Sequence, residues 1–269
     1  MAKLVFLALA CALQRAACSA AITVMSAADD RVTWVGRRLA SPSGDVTIDW
    51  EGVEARLVVT GATYVTAQIS DSATGGARFA VYYNSTGGSG AGAPNLRIGT
   101  LVTHATVRDY VLAGGEWLAA APSLLTLRLL TEPQFVRDGP TLASNLSIIS
   151  FTTDGTFGAA PEPSTMRRRL IFLGDSLTAG YGSGFDAPPS APTSCGGGVA
   201  QNDVANSYGA VLCDKYFGAS CSWIARSGVG LIYPGGTTLP QLWPTTLGSF
   251  VGKFPWNGAS VRLACVPHT

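Results

Sequence analysis

The sequence predicts a two-domain chain: an N-terminal all-β sandwich of the jelly-roll kind, followed by an incomplete α/β domain built on a parallel sheet. Three observations carry this. From Val32 to Thr153 apolar residues recur with period two in short runs broken by glycine-rich clusters. Near residue 160 a stretch with two prolines separates that texture from the next. Beyond it, Leu170-Ile171-Phe172-Leu173 runs directly into Gly174-Asp175-Ser176, as a buried strand feeding a loop does.

Taken in order, residues 1–20 read as a signal peptide. Lys3 precedes the apolar run Leu4 to Leu13, which is too short for a bilayer span, and small residues close the segment at Cys18-Ser19-Ala20. A secreted, extracellular protein with no membrane attachment after cleavage is expected. Residues 21–154 form the expected sandwich. Val46, Ile48 and Trp50 share one face, and Leu57 with Val59, Val65 with Ala67 and Ile69, and Leu125 with Leu127 and Leu129 repeat the alternation. Clusters such as Gly75-Gly76 and Ala113-Gly114-Gly115 supply the turns. Residues 155–166 are the expected linker and 167–269 the α/β domain. Roughly 100 residues follow the linker, at the low end of domain size.

Composition narrows the function. Of 269 residues 13% are charged and the formal net charge is +1, so nothing here has the electrostatic footprint of a nucleic-acid binder. A neutral partner such as a glycan fits better. Trp34, Trp50, Tyr64, Tyr82, Tyr83 and Trp117 can stack on sugar rings, though core and edge packing is the ordinary role of such side chains. Two histidines, His104 and His268, leave little material for acid–base chemistry, and His104 sits in what reads as a strand. Of the six cysteines, Cys195, Cys213, Cys221 and Cys265 lie outside the signal segment and allow three pairings. Asn84-Ser85-Thr86 and Asn145-Leu146-Ser147 are glycosylation sequons.

The chemistry concentrates after the first strand of the second half. A serine at the C-terminal end of a parallel strand meets substrate where open α/β sheets bind ligands, with backbone N–H groups at the next helix start facing an oxyanion. Ser176 is not in a G-x-S-x-G elbow, because Thr178 stands where the second glycine would be. Asn206 is expected to cap a helix running to Tyr216, with Tyr208, Val211, Leu212 and Tyr216 on one face. The strand Ser220 to Ala225 then completes a βαβ unit, which sets the two strands parallel and brings Ser176 beside the turn Arg226-Ser227-Gly228-Val229-Gly230.

Gly174-Asp175-Ser176-Leu177 resembles the first block of the SGNH/GDSL hydrolases, and the turn at Gly228 resembles their second. A sandwich followed by these blocks is similar to the two-domain carbohydrate esterase family 2, the acetyl xylan esterase-like enzymes. The resemblance implies an SGNH-type α/β domain and removal of acetyl groups from an acetylated polysaccharide, without metal or organic cofactor. It also implies an acyl-enzyme on Ser176, with the N–H groups of Ser176 and Gly228 as oxyanion donors. Two further blocks of that family are not found: no G-x-N-D, since Asn257 is followed by Gly258, and no D-x-x-H, since Ala264-Cys265-Val266-Pro267 precede His268. The general base His and the third oxyanion donor are thus absent, and a serine without a base is a weak nucleophile. The expectation is a C-terminally truncated esterase of doubtful activity. The alternatives are a non-catalytic glycan-binding protein with a vestigial hydrolase half and, further off, a lipid-directed esterase.

Overall fold

Alternating residues along the first half build two antiparallel sheets whose inner faces close on each other. In the computed structural model residues 21–71, 76–85, 96–115, 118, 122–132, 146–159, 169–184, 202–217, 220–231 and 238–243 are described. The strands are β1 (Thr23–Ser26), β2 (Thr33–Val35), β3 (Leu39–Ala40), β4 (Val46–Thr47), β5 (Glu54–Thr60), β6 (Tyr64–Asp71), β7 (Arg78–Ser85), β8 (Leu96–Val102), β9 (Arg108–Gly114), β10 (Ser123–Leu129), β11 (Leu146–Thr153) and β12 (Thr156–Gly158). One sheet has the order β3-β4-β11-β6-β9 with β1 also on β11, and the other β12-β5-β10-β7-β8 with β2 also on β5. Met25, Val46, Ile69 and Phe151 from the first meet Leu57, Phe79, Val81 and Leu125 from the second in one buried cluster. That burial is the main stabilising term of this half, at roughly 25 cal/mol per Å2 of apolar surface removed from water.

The period-two reading holds along these strands, with three corrections. Thr156, Phe157 and Gly158, expected at the start of the linker, are strand β12, paired with β5 from Thr60 to Val58. The reason is Phe157, which is buried in the core cluster of the sandwich and so holds its segment against β5. His104, expected within a strand, lies after β8, exposed, where its backbone N–H donates to the Tyr110 hydroxyl at 2.9 Å. Trp34 and Trp50 are core residues, and the Trp34 indole N–H donates to the Ala27 carbonyl at 3.0 Å, so neither offers a ring to a ligand. Trp117 lies outside the described residues.

The second half adds β13 (Arg169–Gly174), the single-turn helices α1 (Ser176–Ala179) and α2 (Tyr208–Val211), β14 (Ser220–Ala225) and α3 (Leu239–Leu242). β13 and β14 pair in parallel, Arg169 opposite Ser220 and Gly174 opposite Ala225. The expected helix from Asn206 differs in detail. Val204–Asn206 is a tight 3-10 turn, Ser207 is the cap whose hydroxyl accepts from the Ala210 N–H at 3.4 Å, and from Leu212 the helix widens through Phe217. Its buried face is Gly209, Ala210 and Cys213, while Tyr208 and Leu212 are exposed. Small residues win because the helix lies close against Phe172 and Trp223: a Cβ on Gly209 would sit 2.9 Å from the Trp223 indole nitrogen and 3.0 Å from the Phe172 ring. Cys213 and Cys221 form a disulfide that ties this helix to β14. Cys195 and Cys265 lie outside the described residues, as do Asn145, Asn257 and His268.

The parallel pair does not stand apart from the sheets. Ile224 and Val229 belong to the same buried cluster as the sandwich interior, and Leu239 and Trp243 pack against it. The Val204 N–H donates to the Leu130 carbonyl at 2.9 Å, and Arg37 reaches the Trp243 carbonyl at 2.6 Å. Polar residues on the outer face of β5 and β10 close the seam. Glu54 holds Arg56 and Arg128 at 2.6 Å each, and Arg128 reaches on to Asp214 at 3.2 Å.

Candidate active site

The register of β13 and β14 brings Gly174 and Ala225 opposite each other, so both loops leave the sheet from one edge. The ladder runs one step further, with the Arg226 N–H donating to the Gly174 carbonyl at 3.2 Å. Ser176 begins α1 two residues past one strand end, and Gly228 lies three past the other. The two residues singled out in the sequence therefore emerge side by side at the C-terminal edge of the parallel pair.

Around Ser176 each neighbour has a local task. The Asp175 carboxylate caps α1 by accepting the Leu177 N–H at 3.1 Å, and the Ser176 carbonyl accepts from the Tyr181 N–H at 2.8 Å. Gly174 permits a close approach, because a Cβ there would overlap the Thr178 side chain. Thr178 is buried, and its hydroxyl pairs with that of Tyr208 at 3.0 Å. The threonine in place of the elbow's second glycine is thus what ties α1 to α2. Gly180 ends the helix with φ at 82°, and the Asp203 N–H donates to its carbonyl at 3.0 Å. Ser176 itself is half-buried. Neither its N–H nor its hydroxyl has a hydrogen-bond partner among the described residues.

The opposing turn is closed by the Val229 N–H donating to the Arg226 carbonyl at 3.2 Å. Gly228 has φ at 78°, as a type II turn requires at its third position. Its N–H is free among the described residues, which leaves it able to donate to a substrate oxygen. The N–H of Ser227 is not free: it donates to Glu132 Oε1 at 2.8 Å.

Glu132 was not legible as a site residue, and neither was Glu51. Glu132 lies just beyond β10, and burial raises its carboxyl above the ordinary value while Ser227 and Arg226 oppose that. Glu51 is wholly buried with no well-formed hydrogen bond to either carboxylate oxygen among the described residues, and burial, then Glu132 and Asp49, push it well above the usual carboxylate range against weaker opposing contributions from the Glu51 and Ala225 backbone. The neutral acid is the form that such a site holds. A single acidic residue after an apolar strand has no spacing signature, so only the fold brings these groups to the Gly228 turn. His104, the one histidine among the described residues, is exposed and makes no hydrogen bond to Ser176.

No protein-family model and no curated protein matches the sequence. The folded chain is similar to a family two carbohydrate esterase from Cellvibrio japonicus, with TM-score 0.70 and 19% identity over 88% of this chain and 64% of that one. The fold is that of the family two carbohydrate esterases. A second family two esterase, from Clostridium thermocellum in complex with cellohexaose, aligns with TM-score 0.65 and 22% identity over 84% of this chain and 61% of that one. The acetyl xylan esterase Est2A from the rumen bacterium Butyrivibrio proteoclasticus gives 0.61 and 19%, over 85% and 56%. The chain spans about three fifths of the length of these esterase structures.

Proposed function

We propose that this protein is a secreted ester hydrolase of the carbohydrate esterase kind, with a jelly-roll domain ahead of an SGNH-type domain, acting on acetyl groups of a polysaccharide. The observation that carries the reading is the placement of Ser176 and Gly228 at one parallel sheet edge with both N–H groups unengaged among the described residues, in a fold shared with family two carbohydrate esterases. In this reading the Ser176 hydroxyl attacks the ester carbonyl, the two N–H groups hold the oxyanion, and the sugar alcohol leaves. Water then attacks the acyl-serine and releases acetate. The disulfide Cys213–Cys221 supports an oxidising compartment.

Residues 1–269 hold no D-x-x-H motif, and this sets the behaviour expected of a polypeptide of these residues by itself. Loss of a triad member in serine proteases still leaves about 10³- to 10⁴-fold over water from the oxyanion donors and binding. Turnover of 4-nitrophenyl acetate and acetylated xylan by residues 1–269, taken above the protein-free rate, is therefore expected to be slow, and imidazole, a small base, is expected to raise it. Ser176→Ala should abolish both the slow rate and the imidazole response. Equal rates for the two proteins with imidazole would reject the esterase reading.

A second reading, glycan binding with a vestigial hydrolase half, is favoured by the exposed rings beside α1. Tyr181 and Tyr208 are 37% and 51% exposed, and sugar rings stack on such faces. Glycan binding without turnover, unchanged in Ser176→Ala and weakened in Tyr208→Ala, would then replace hydrolysis as the function.

A further inference from the structure

We propose that Glu132 is a positioning residue for the oxyanion turn: by holding the Ser227 N–H it fixes how the next N–H, that of Gly228, is presented at the sheet edge. The inference rests on the roles assigned above to Ser176 and Gly228.

Among the described residues, four hydrogen bonds donated by backbone N–H groups hold the segment from Arg226 to Gly230. Arg226 N–H to the Gly174 carbonyl and Val229 N–H to the Arg226 carbonyl are both 3.2 Å, and Leu239 N–H to the Gly230 carbonyl is 3.1 Å. The bond from Ser227 to Glu132 is shorter, at 2.8 Å, and its acceptor is a side chain from the antiparallel half. It grips the residue next to the donor. A carboxylate accepting from a backbone N–H makes one of the stronger hydrogen bonds available.

Glu132 is also well placed to act as a fixed point. Leu130 and Thr131 before it are fully buried. The Leu130 N–H donates to the Arg78 carbonyl at 2.8 Å, its carbonyl accepts from Val204 at 2.9 Å, and the Thr131 hydroxyl accepts from the Arg78 N–H at 3.0 Å. The glutamate therefore projects from a rigid strand end, the arrangement that precise placement of a functional group requires. The charged and titratable groups that interact with it are Glu51 and Arg226, and Asp49 acts on both of these. A glycine turn closed only by its own hydrogen bond can exchange type II for type I by rotating its central peptide, which carries the Gly228 N–H. Anchoring the adjoining peptide opposes that rotation.

The test uses the full chain with an alkyl fluorophosphonate and imidazole. Ser176 Oγ forms the P–O bond as the P–F bond breaks, fluoride leaves with the electron pair, and imidazole takes the hydroxyl proton. Labelling rate is read by mass shift, and amide hydrogen exchange is read over 226–230. Glu132→Gln keeps an acceptor of the same reach, whereas Glu132→Asp keeps the charge but is one methylene too short, and Glu132→Ala removes both. The expected result is labelling slowed by about 10- to 100-fold in the Asp and Ala variants, a fraction of what losing an oxyanion donor costs. Exchange at Ser227 and Gly228 should be faster in the same two variants, while the Gln variant matches the parent. If Asp preserves labelling and Gln does not, charge rather than grip is responsible and the proposal is overturned. Unchanged labelling and exchange in all three overturn it as well. Where the Ala variant does not fold, the Gln and Asp pair decides. If the parent is labelled no faster than Ser176→Ala, the esterase reading fails, and exchange alone then decides whether Glu132 anchors the turn.

Discussion

Gly52 and Trp223 touch across the seam between the antiparallel sheets and the parallel pair: a Cβ on Gly52 would overlap the indole ring. Gly52 also has φ at 74°, in the left-handed region. Gly52→Ala therefore meets two penalties, about 1–2 kcal/mol for the backbone and about 1–3 kcal/mol for overpacking. A loss of roughly 3 kcal/mol is expected by urea denaturation. A loss within 0.5 kcal/mol of zero, taking about that as the range of a neutral surface change, would show that the two halves do not close here.

The ion cluster on the other side of the seam should govern acid stability. Burial alone would raise Glu54, but the Arg128 and Arg56 guanidiniums outweigh it and hold the carboxyl at about 2. The sign follows from the lowered value. Its stabilisation is complete above the ordinary 4.5 and is lost as pH falls from there through about 2. Arg128→Ala leaves Glu54 buried without its main partner and is expected to cost about 3–5 kcal/mol at pH 7. Thermal melts from pH 2 to pH 7 should show the acid limb of the variant displaced upward.

Glu51 acts in the opposite sense. Its carboxyl is raised by burial, and further by Glu132 and Asp49, so the folded state keeps a proton that the unfolded state releases above the ordinary value of 4.5. Stability attributable to it is present below that value and falls as pH rises toward the folded one, by up to about 1.4 kcal/mol per pH unit. Glu51→Gln mimics the neutral acid. It is expected to match the parent at pH 4 and to exceed it at pH 8 in chemical denaturation, and equal pH slopes for the two proteins would contradict this.

The Cys213–Cys221 disulfide closes a short loop, with a sequence separation of 8. On chain entropy alone such a closure is worth about 2–3 kcal/mol. The Cys213→Ala/Cys221→Ala double variant should lose that amount in urea. The loss should concentrate in hydrogen exchange over α2 and β14, with β5 and β10 protected as before.

What local pattern determined is clear in particular residues. Alternation along β5, β6 and β10 reads directly into which side chains meet in the sandwich, because a strand's faces repeat every second residue. The apolar run before Gly174 and the glycine turn after Ala225 likewise placed Ser176 and Gly228 on one edge, since a crossover between parallel strands brings their C-terminal ends to the same edge. Other features depended on the whole fold. Arg128 and Glu54 stand on the face that alternation assigns to water, yet they are buried because the second half covers it. Phe157 extends a sheet where small residues and nearby prolines suggested a linker, and Gly209 and Ala210, rather than Tyr208 and Leu212, face inward because Phe172 and Trp223 leave room only for small side chains. Glu51 and Glu132, 81 positions apart, meet beside Gly228 only in the folded chain. Periodicity reports a strand's own two faces; which face is covered, and by what, is decided by tertiary packing between segments far apart in sequence.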